Sequence, residues 1–580
     1  MPKHAKPTKR PIRHPKLRQV IYATVIALLC AAPVAGFIRI APDEFLDTMA
    51  CLAIAGDHKR MFGYALAAAA FVCIWLLMYV VLAKLPEWMD RWDRWTPPRA
   101  LGLRFTRRSV LVTAAIIIVC WIPAIIMLFP GTTTTYDTIN QIYQFFSDAP
   151  NWYSATSTVV DASFIDHHPW FDTLIFGGFI WIGRSLGSDA AGLFAYCLIQ
   201  TLLTALVMSA VVCYLERLKV PPAIRIALLA FVILFPVFPI SAMTMQKDSL
   251  FSIVFVVYVL MYFELFRTRG TAFKSRRFLI WFAIDIALCI LTKKTGVYIV
   301  GLSTLVLIIA VKGVRLRSLL TMAAPAAVCM ALLPAIVFPA LDIMPGGSQE
   351  VWGILYQQSV TVLKEAPKSV TDEQRAAIDK VIDVEAAVAA YNPTKTDNVK
   401  RQVREDVSAD DKQTYLAVWL DQGLKHPAMY VKSILQCCAP LLVPSTNIGL
   451  NTKVGTTGIK YFAEHEAEIG GEFHLDIANP PETQAAAKAA YGFYGTLCRM
   501  PVTSLFCTMG FYDCWIPLIA LAVALYSRHR RDMCALAPII ISALILIASP
   551  AALSRYAISL IFLAVPAIGW AIYCLRRRCS

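Results

Sequence analysis

Charge is scarce in this chain. Only 16% of its 580 residues are Asp, Glu, Lys or Arg, against about 25% in ordinary soluble domains. Hydrophobic residues make up 58%, and the mean hydropathy is +0.59. This composition excludes a soluble globular enzyme and a disordered chain, and it indicates a membrane protein with many spans. The net charge is +15, but the basic residues lie between apolar segments. The sequence therefore predicts membrane lipids, and no nucleic acid, as partners.

Patterns typical of metal sites are missing as well. None of the 16 cysteines belongs to a CxxC pair, and no spacing of Cys and His repeats, so no zinc site is predicted. No acidic cluster is dense enough to decide whether a divalent metal is a cofactor, so that question stays open. Cys498 and Cys507 fall in a region predicted to face outward, but their separation alone does not decide whether they form a disulfide.

Long apolar runs recur along the chain, and about 20 such residues cross a bilayer core. We expect an all-α polytopic membrane protein. The first run follows a basic tail and has no convincing cleavage site, so we expect an uncleaved helix there. The twelve predicted transmembrane helices are 20–38, 60–83, 109–129, 189–214, 222–240, 249–266, 277–293, 296–311, 318–340, 511–527, 533–552 and 555–575.

The basic residues give these spans an orientation. Dense Lys/Arg clusters occur in 84–108, 267–277, 312–317, 528–531 and 576–578. With the N-terminus in the cytoplasm, the alternation of spans places every one of these clusters on the cytoplasmic side, as the positive-inside rule requires. An even number of spans then returns the C-terminus to the cytoplasm.

This topology divides the chain into five regions and leaves two large segments outside. Within the outer segments, the short apolar stretches 169–186 and 426–444 predict interfacial helices rather than spans. Thr371 and Gln374 have the spacing of a helix capping box. The predicted regions are a basic tail (1–19), a two-helix extension with a basic loop (20–108), a transmembrane core containing the first external loop 130–188 (109–340), an external segment (341–510), and C-terminal helices with a basic tail (511–580).

The first external loop contains the first candidate residues. Asp137 follows the third predicted span in a polar, aromatic loop, where a carboxylate suits a general base or a metal ligand. The structural alternative is that Asp137 caps the helix that begins with "TINQIYQFF". Further along, "FIDHHPWFDTL" places Asp166, His167, His168 and Asp172 together before a surface helix. Histidine can hydrogen-bond a phosphate or a sugar hydroxyl, and the alternative is a polar turn closed by Pro169.

The other candidates lie at outer helix ends. Lys247 and Asp248 are either a structural pair at a helix end or an ammonium for a phosphate beside a carboxylate for an acceptor. Lys293, Lys294 and Arg555 break the positive-inside trend. They suit either lipid headgroups or a substrate phosphate, which Lys and Arg hold by charge-assisted hydrogen bonds. Acids beside cations at this boundary suit transfer from a lipid-linked phosphate to an external acceptor, because an acid can deprotonate the acceptor while cations stabilise the leaving phosphate.

An ordered set of motifs also resembles a known family. From about residue 100 onward, "FPG…YDTINQ", "DHHPWFDTL", "MQKDSLF", "LTKKTGVYIV", "LYQQSV", "YNPTKTDNVK", "HPAMYVKS" and "SRYAISLIFLAVP" resemble, in the same order, a bacterial multi-pass family of unknown function. That family is similar to GT-C glycosyltransferases such as protein O-mannosyltransferases and aminoarabinose transferases, which use polyprenyl-phosphate sugars. One turn departs from the family pattern: an Arg-Asn-Asn-Gly sequence is usual, whereas Thr292-Lys293-Lys294-Thr295-Gly296 keeps the charge and lacks the amides.

The resemblance implies a GT-C-like bundle in the bacterial plasma membrane that transfers a sugar from a polyprenyl phosphate to an extracytoplasmic glycan, lipid or protein. It implies that Asp137 is the catalytic acid of the first loop and that Asp248 is the second acid. The donor phosphate would lie on Lys247, Arg555, Lys293 and Lys294, and the substrate pocket would include Asp166, His167 and His168. A transporter or flippase and a polysaccharide polymerase remain the alternative functions.

Overall fold

The computed structural model describes residues 17–40, 58–93, 95, 103–147, 150–153, 158–346, 349–404, 407–444, 446–465, 473–500, 502–527, 530–549 and 551–579. The predicted basic tail up to residue 16, part of the 84–108 loop, and Arg528 and His529 lie outside them. The described chain is predominantly helical and all-α, as expected.

The helices of the N-terminal half carry the first group of apolar segments. They are Leu17–Ile40, His58–Ala83, Leu85–Trp92, Arg107–Met127, Asp137–Phe146, Trp170–Ser185, Asp189–Tyr214, Pro222–Leu234, Val237–Ala242, Lys247–Arg267, Arg276–Thr292, Gly296–Ala310, Arg315–Ala327 and Leu333–Ala340.

The helices of the C-terminal half begin with those of the predicted external segment and end with the last apolar helices. They are Gln349–Glu365, Asp372–Asp379, Val384–Ala390, Asp397–Lys400, Ala409–Lys425, Pro427–Leu442, Thr456–Glu464, Pro481–Arg499, Thr503–Phe506, Ile516–Tyr526, Arg530–Cys534, Ala537–Ile547 and Ile558–Cys579.

Within the described residues, seven helices are long and apolar enough to cross a membrane, and this fits a membrane protein. They comprise Leu17–Gly36, Gly63–Ala83, Arg107–Met127, Asp189–Tyr214, Lys247–Arg267, Arg315–Ala340 and Ser554–Arg577. The other five predicted spans also form helices, but these are shorter or interrupted, so the count of twelve transmembrane helices is not confirmed.

Prolines explain two of the interruptions. In the predicted span 222–240, the helix ends at Leu234, Phe235 is extended, and a short helix follows Pro236. The residue before a proline avoids the helical region because the proline ring crowds its backbone. In the predicted span 533–552, one helix ends at Cys534 and the next begins at Ala537, with Pro538 in its first turn; Pro538 has no N–H to continue the preceding helix with a bond to residue 534. Apolar composition predicts neither break.

The predicted external segment folds as the local patterns indicate. Thr371 caps the Asp372–Asp379 helix in a capping box with Gln374. The two predicted interfacial helices form at Trp170–Ser185 and Pro427–Leu442. A separate apolar cluster, which includes Tyr356, Ile378 and Tyr415, lies within this segment. Cys498 and Cys507 both remain free thiols.

The described residues form three short strand pairs, and two of them join distant loops. Thr132–Thr133 pairs in parallel with Thr244–Met245, and Phe164–Asp166 pairs in parallel with Ile343–Pro345. Asn151–Tyr153 pairs antiparallel with Thr158–Val160 inside the first loop. The first pair matters most for the site, because it brings the chain just before Asp137 beside the chain just before Lys247.

Candidate functional site

The parallel pair described above fixes the two loops that begin the site. Thr132 Oγ1 and Thr244 Oγ1 lie 2.8 Å apart, and Thr138 donates a hydrogen bond from Oγ1 to the carbonyl of Met245 at 2.9 Å. These threonines are buried. A hydrogen-bonded junction between the loops therefore holds the first turns of the Asp137–Phe146 and Lys247–Arg267 helices against each other.

Asp137 is the first residue of its helix and not its cap. The cap position is Tyr136, which makes no capping hydrogen bond through its side chain. Thr134 Oγ1 accepts a hydrogen bond from the backbone N–H of Thr138 at 3.1 Å, which supplies the missing acceptor. The interpretation of Asp137 as an N-cap is therefore wrong, and its carboxylate contacts other parts of the chain.

Those contacts come from three distant segments. Oδ2 of Asp137 lies 3.1 Å from Lys247 Nζ, 2.7 Å from Arg555 Nη2 and 4.0 Å from His168 Nε2. Burial by itself raises the pKa of Asp137, but Lys247 and then Arg555 outweigh it and hold that pKa well below the usual range. Asp137 is therefore an anion at neutral pH.

Asp248 forms the second centre of the network and is almost completely buried. Its Oδ1 accepts a hydrogen bond from Lys293 Nζ at 2.8 Å, and its Oδ2 lies 3.5 Å from Arg555 Nε. Lys293 also lies over the rings of Phe251 and Tyr556, 5.0 and 5.4 Å from their centroids. These contacts enclose the Lys293 ammonium. Lys293 is therefore the counter-ion of Asp248.

His168 connects the first loop to the network. Lys247 Nζ lies 2.8 Å from its Nδ1, and an ammonium can only donate, so Nδ1 is the acceptor and Nε2 carries the hydrogen. Burial and the charge of Lys247 lower the pKa of His168 well below the usual range, which agrees with a neutral ring. The ring of His167 lies beside it, with centroids 4.7 Å apart, and burial followed by Lys247 lowers the pKa of His167 to about 3.

Lys294 and Asp166 form a neighbouring pair at a more exposed edge. Lys294 Nζ lies 3.1 Å from Asp166 Oδ2 and also donates to the Asp166 carbonyl. The side chain of Lys294 is 46% exposed, against 13% for Lys293. Burial raises the pKa of Asp166, although Lys294 opposes that shift. Of the two adjacent lysines, only Lys294 presents much of its side chain to solvent.

The structure thus brings the predicted residues to one end of the helices. Asp137, Asp248, Lys247, Lys293 and Arg555 share direct ion-pair contacts, which we call the five-residue charge network. His168 contacts Lys247 of this network, and His167 lies next to His168. The Lys294–Asp166 pair lies beside them, because Lys294 follows Lys293 and Asp166 precedes His167 in the chain.

Two further acids were given no role from the sequence: Asp172, which was only grouped with the two histidines, and Asp513, which was not considered. Asp172 and Asp513 are buried, and neither oxygen of either carboxylate makes a hydrogen bond within the described residues. Asp172 interacts electrostatically with Lys247 and Asp248, and Asp513 with Lys293. Asp513 lies in a π-helical turn, Phe511–Trp515, of a kind frequent at functional sites. The available signal was an acid inside an apolar segment, which is costly in a membrane.

The predicted external segment contacts the same end of the helices. Lys395 forms a β-bridge with Ala551, four residues before Arg555. Lys400 interacts electrostatically with His167. The N–H of Gly455 donates to Thr133 Oγ1 at 2.8 Å, and a Cβ on Gly455 would lie 2.5 Å from the Thr134 carbonyl oxygen. The segment therefore packs tightly against the loop that positions Asp137.

The site does not indicate a metal. Among the residues that the structure describes, no group of three or more His, Cys, Asp or Glu side chains is placed to hold a metal ion. The acids of the network are already matched with cations, and a divalent ion would have to displace them. The residues of the site can recognise an anion through Lys and Arg and transfer a proton through a carboxylate.

Comparison with known proteins places the chain in one family. Residues 14–439 match the model of a group described as "Family of unknown function (DUF6020)", and the chain belongs to that family. This range contains every predicted site residue except Arg555. The search of curated proteins found no match. The search of solved structures also found none.

Proposed function

We propose that the protein is a GT-C-type glycosyltransferase that transfers a sugar from a polyprenyl-phosphate donor to an extracytoplasmic acceptor. The observation that carries this proposal is the five-residue charge network. Asp137 and Asp248 are paired with three cations from three separate segments, and one of these, Arg555, contacts both acids at one end of helices long enough to cross a membrane. A lipid-linked phosphate and a hydroxyl acceptor would meet at such a boundary.

The distribution of contacts supports distinct roles. Arg555 and Lys247 would hold the donor phosphate, with Lys294 at the exposed edge. Lys293 would serve as the counter-ion of Asp248 rather than bind phosphate, because Asp248, Phe251 and Tyr556 already surround its ammonium. His167 and His168, both neutral, would line the pocket and offer hydrogen bonds to sugar hydroxyls. The resemblance placed the donor phosphate on four cations, Lys247, Arg555, Lys293 and Lys294. The contacts keep three of them for the phosphate and assign Lys293 to Asp248.

The proposed reaction balances with these groups alone. The acceptor hydroxyl loses its proton to Asp137 while its oxygen forms a bond to the anomeric carbon of the sugar. The bond between that carbon and the phosphate oxygen breaks, and the electron pair leaves with the phosphate. Arg555 and Lys247 stabilise the charge that develops on that oxygen, a contribution typically worth 10²–10³ in rate per donor. General base catalysis contributes about 10²–10⁴.

The membrane arrangement belongs to the same proposal. The chain would cross a bacterial plasma membrane about twelve times, with both termini in the cytoplasm and the charge network at the outer face. Four shorter apolar helices and the Arg276–Thr292 helix would supply the spans beyond the seven long ones. The external segment would cover the network and select the acceptor, which accords with the Lys395–Ala551 bridge.

The test is a transfer assay with purified full-length protein in detergent. Radiolabelled polyprenyl-phosphate sugars and a membrane extract supply donor and acceptor, and labelled product is measured. We expect wild-type protein to transfer one sugar of the panel and Asp137→Asn to lose at least about a hundredfold in rate. Wild-type protein that transfers no sugar would contradict the proposal. A product extended by preassembled units would favour the polymerase instead.

The chain offers a matched control for this substitution. Asp189 is also the first residue of its helix and also pairs with an arginine, Arg184, with contacts of 2.7 and 2.9 Å. Asp189→Asn therefore removes a comparable ion pair outside the network, and we expect this variant to retain sugar transfer. Equal losses in Asp137→Asn and Asp189→Asn would show that folding, not chemistry, causes the effect.

A transporter or flippase is the second candidate, and one residue favours it. Asp285 lies near the middle of the Arg276–Thr292 helix, is buried, and has one carboxylate oxygen with no hydrogen bond within the described residues. A buried acid at that depth is typical of transport pathways. Reconstituted vesicles distinguish the candidates. Transport is favoured if Asp285→Asn loses translocation of the lipid-linked sugar while the sugar transfer that depends on Asp137 is unaffected or absent.

A further inference from the structure

One oxygen of Asp137 holds both cations assigned to the donor phosphate. Lys247 Nζ and Arg555 Nη2 contact Oδ2, at 3.1 and 2.7 Å, and this atom is shielded from solvent. His168 Nε2 approaches the same atom to 4.0 Å. An oxygen between a guanidinium and an ammonium is the arrangement in which these groups bind a phosphate oxygen. The carboxylate therefore lies where a phosphate oxygen would bind.

This arrangement conflicts with the role of Asp137 as a base. Lys247 and Arg555 keep the pKa of Asp137 well below its usual range. An effective general base needs a pKa close to the working pH. While both cations contact Asp137, the carboxylate accepts a proton poorly. The conflict disappears if the same cations move to another anion before the proton transfer takes place.

We propose that Asp137 is an internal competitor of the substrate phosphate, and that a phosphate ester that binds Lys247 and Arg555 displaces the carboxylate and so releases the base. This inference rests on the proposed function and specifies its order: donor first, base activation second. An enzyme of this kind has a poor base until the leaving group is in place.

The surrounding contacts explain why these two cations are the ones that exchange partners. Lys293 remains with Asp248 at 2.8 Å, and Lys294 remains with Asp166. Arg555 already has a second acid, Asp248, at 3.5 Å, and Lys247 already has a second contact, His168, at 2.8 Å. When Asp137 leaves, neither Arg555 nor Lys247 loses its last partner.

The inference predicts that a variant with a damaged base binds phosphate more tightly. We would measure binding of a sugar-free polyprenyl monophosphate to full-length protein in detergent. Asp137→Asn should bind this probe about ten- to a hundredfold more tightly than wild type, because a competing charge near two cations is worth more than one tenfold step in affinity. Asp189→Asn, the matched control, should bind like wild type, and Lys247→Gln more weakly.

Two additions separate the possible sources of the anion and protect the test against misfolding. Inorganic phosphate and phosphatidylglycerol serve as further probes. A gain shared by inorganic phosphate indicates recognition of the phosphate alone, and a gain confined to the lipids indicates that the lipid contributes. Asp137→Ala supplies a second uncharged variant. Thermal unfolding of every variant identifies those that fold.

Unchanged or weaker binding of polyprenyl monophosphate in folded Asp137→Asn and Asp137→Ala would overturn the inference. That result is distinguishable from failure of the proposed function. Sugar transfer by wild type without a gain in affinity in the variants retains the enzyme and rejects the competition. A gain in affinity with no sugar transferred by wild type retains the competition and rejects the transferase.

Discussion

The two ends of one helix pair carry two kinds of ionic cluster. The helices Lys247–Arg267 and Ile558–Cys579 run in the same direction, because Asp248 approaches Arg555 near one end and Phe263 contacts Trp570 near the other. The first helix has 21 residues, so it spans roughly 30 Å, about the thickness of a bilayer core. One end holds the five-residue charge network, and the other holds Glu264.

Glu264 has every acceptor position filled by a strong donor. Its Oε1 accepts from Arg267 Nη2 at 2.7 Å and from Arg217 Nη1 at 3.1 Å, and its Oε2 accepts from Arg267 Nε at 2.8 Å and from the Tyr214 hydroxyl at 2.9 Å. Planar, two-point pairing of this kind fixes geometry. Nothing about this cluster suggests that it exchanges its partners.

The five-residue charge network is bonded differently. Its contacts to Asp137 converge on one oxygen, and the second contact of Arg555, to Asp248, is 3.5 Å long. Asp172 lies beside the network with no hydrogen bond to either oxygen within the described chain. A saturated cluster holds helices together, whereas a cluster with shared cations and spare acids suits a ligand. The bonding, rather than the charge, therefore distinguishes the structural cluster at Glu264 from the cluster that we propose to be functional.

The largest contrast is expected between two arginines of the last long apolar segment. Arg555→Gln should lower the rate of sugar transfer by about 10²–10³, the usual effect of removing one group that stabilises a developing charge. Arg577, which contacts both oxygens of Asp532 at 2.7 and 2.8 Å, lies at the other end. Arg577→Gln should retain the rate per folded molecule.

The measurement for this pair is the transfer rate of each variant, corrected for the folded fraction by size-exclusion chromatography. The distinction between a functional and a structural end fails if Arg577→Gln loses as much transfer as Arg555→Gln. It also fails if Arg555→Gln transfers sugar at the wild-type rate.

The second contrast concerns stability. Glu264→Gln leaves Arg217 and Arg267 facing a neutral amide, and we expect a loss of about 2 kcal/mol in the free energy of unfolding, because hydrogen bonds to charged groups contribute about 1.5–3 kcal/mol and the two arginines are partly exposed. Asp172→Asn should change that free energy by less than about 1 kcal/mol. Burial raises the pKa of Asp172 well above its usual range, with Lys247 opposing, so the acid is neutral and an amide of similar shape replaces it.

Thermal unfolding in detergent measures both variants. A loss in Asp172→Asn as large as that in Glu264→Gln would mean that Asp172 is ionised and paired in the folded protein. Unchanged stability together with a lost transfer rate would instead add Asp172 to the proposed site.

A third prediction uses pH at the charge network. Burial and Lys247 lower the pKa of His167 to about 3, whereas an unfolded histidine has a pKa of about 6.5. The unfolded state therefore takes up the proton first as the pH falls. The contribution of neutral His167 to stability is fully present above about pH 6.5 and is lost as the pH falls toward 3.

Unfolding midpoints between pH 7 and 4.5 test this dependence, because histidines dominate the titration above the range of the carboxylates. His167→Gln should make the decline in stability shallower than in wild type. An equally steep decline in the variant would show that His167 does not contribute, and His168, whose pKa is also lowered, would then be the group to replace.

The sequence predicted the helical class, the long apolar helices and the capping box at Thr371, because each depends on local composition or spacing. It did not predict the breaks before Pro236 and Pro538, since the apolar runs continue across them. The interpretation of Asp137 as a helix N-cap was also wrong. The preference of Asp for cap positions cannot show that Thr134, three residues earlier, accepts the hydrogen bond from the first turn of the helix.

The site was predictable as a set of residues but not as a network. Charge at the ends of apolar runs is unusual, and that identified Asp137, Lys247 and Arg555 individually. Their contact depends on the pairing of Thr132–Thr133 with Thr244–Met245 and on a helix that begins more than 300 residues later. Asp513 was missed because its segment was considered only as a span, although an acid there is as unusual as one at a helix end.

The smallest effect is expected at the exposed edge of the site, where Lys294 tests how far the functional end extends. Lys294 pairs with Asp166, but its side chain is 46% exposed, and exposed pairs stabilise proteins by about 0–1 kcal/mol. Lys294→Gln should leave thermal unfolding nearly unchanged and raise the KM for the donor by at most about fivefold, with kcat retained, because a distant cation attracts the ground state and the transition state alike. Steady-state kinetics over a range of donor concentrations separate the two constants. A fall in kcat comparable to that of Arg555→Gln would place Lys294 against the reacting phosphate and enlarge the site beyond the five-residue charge network.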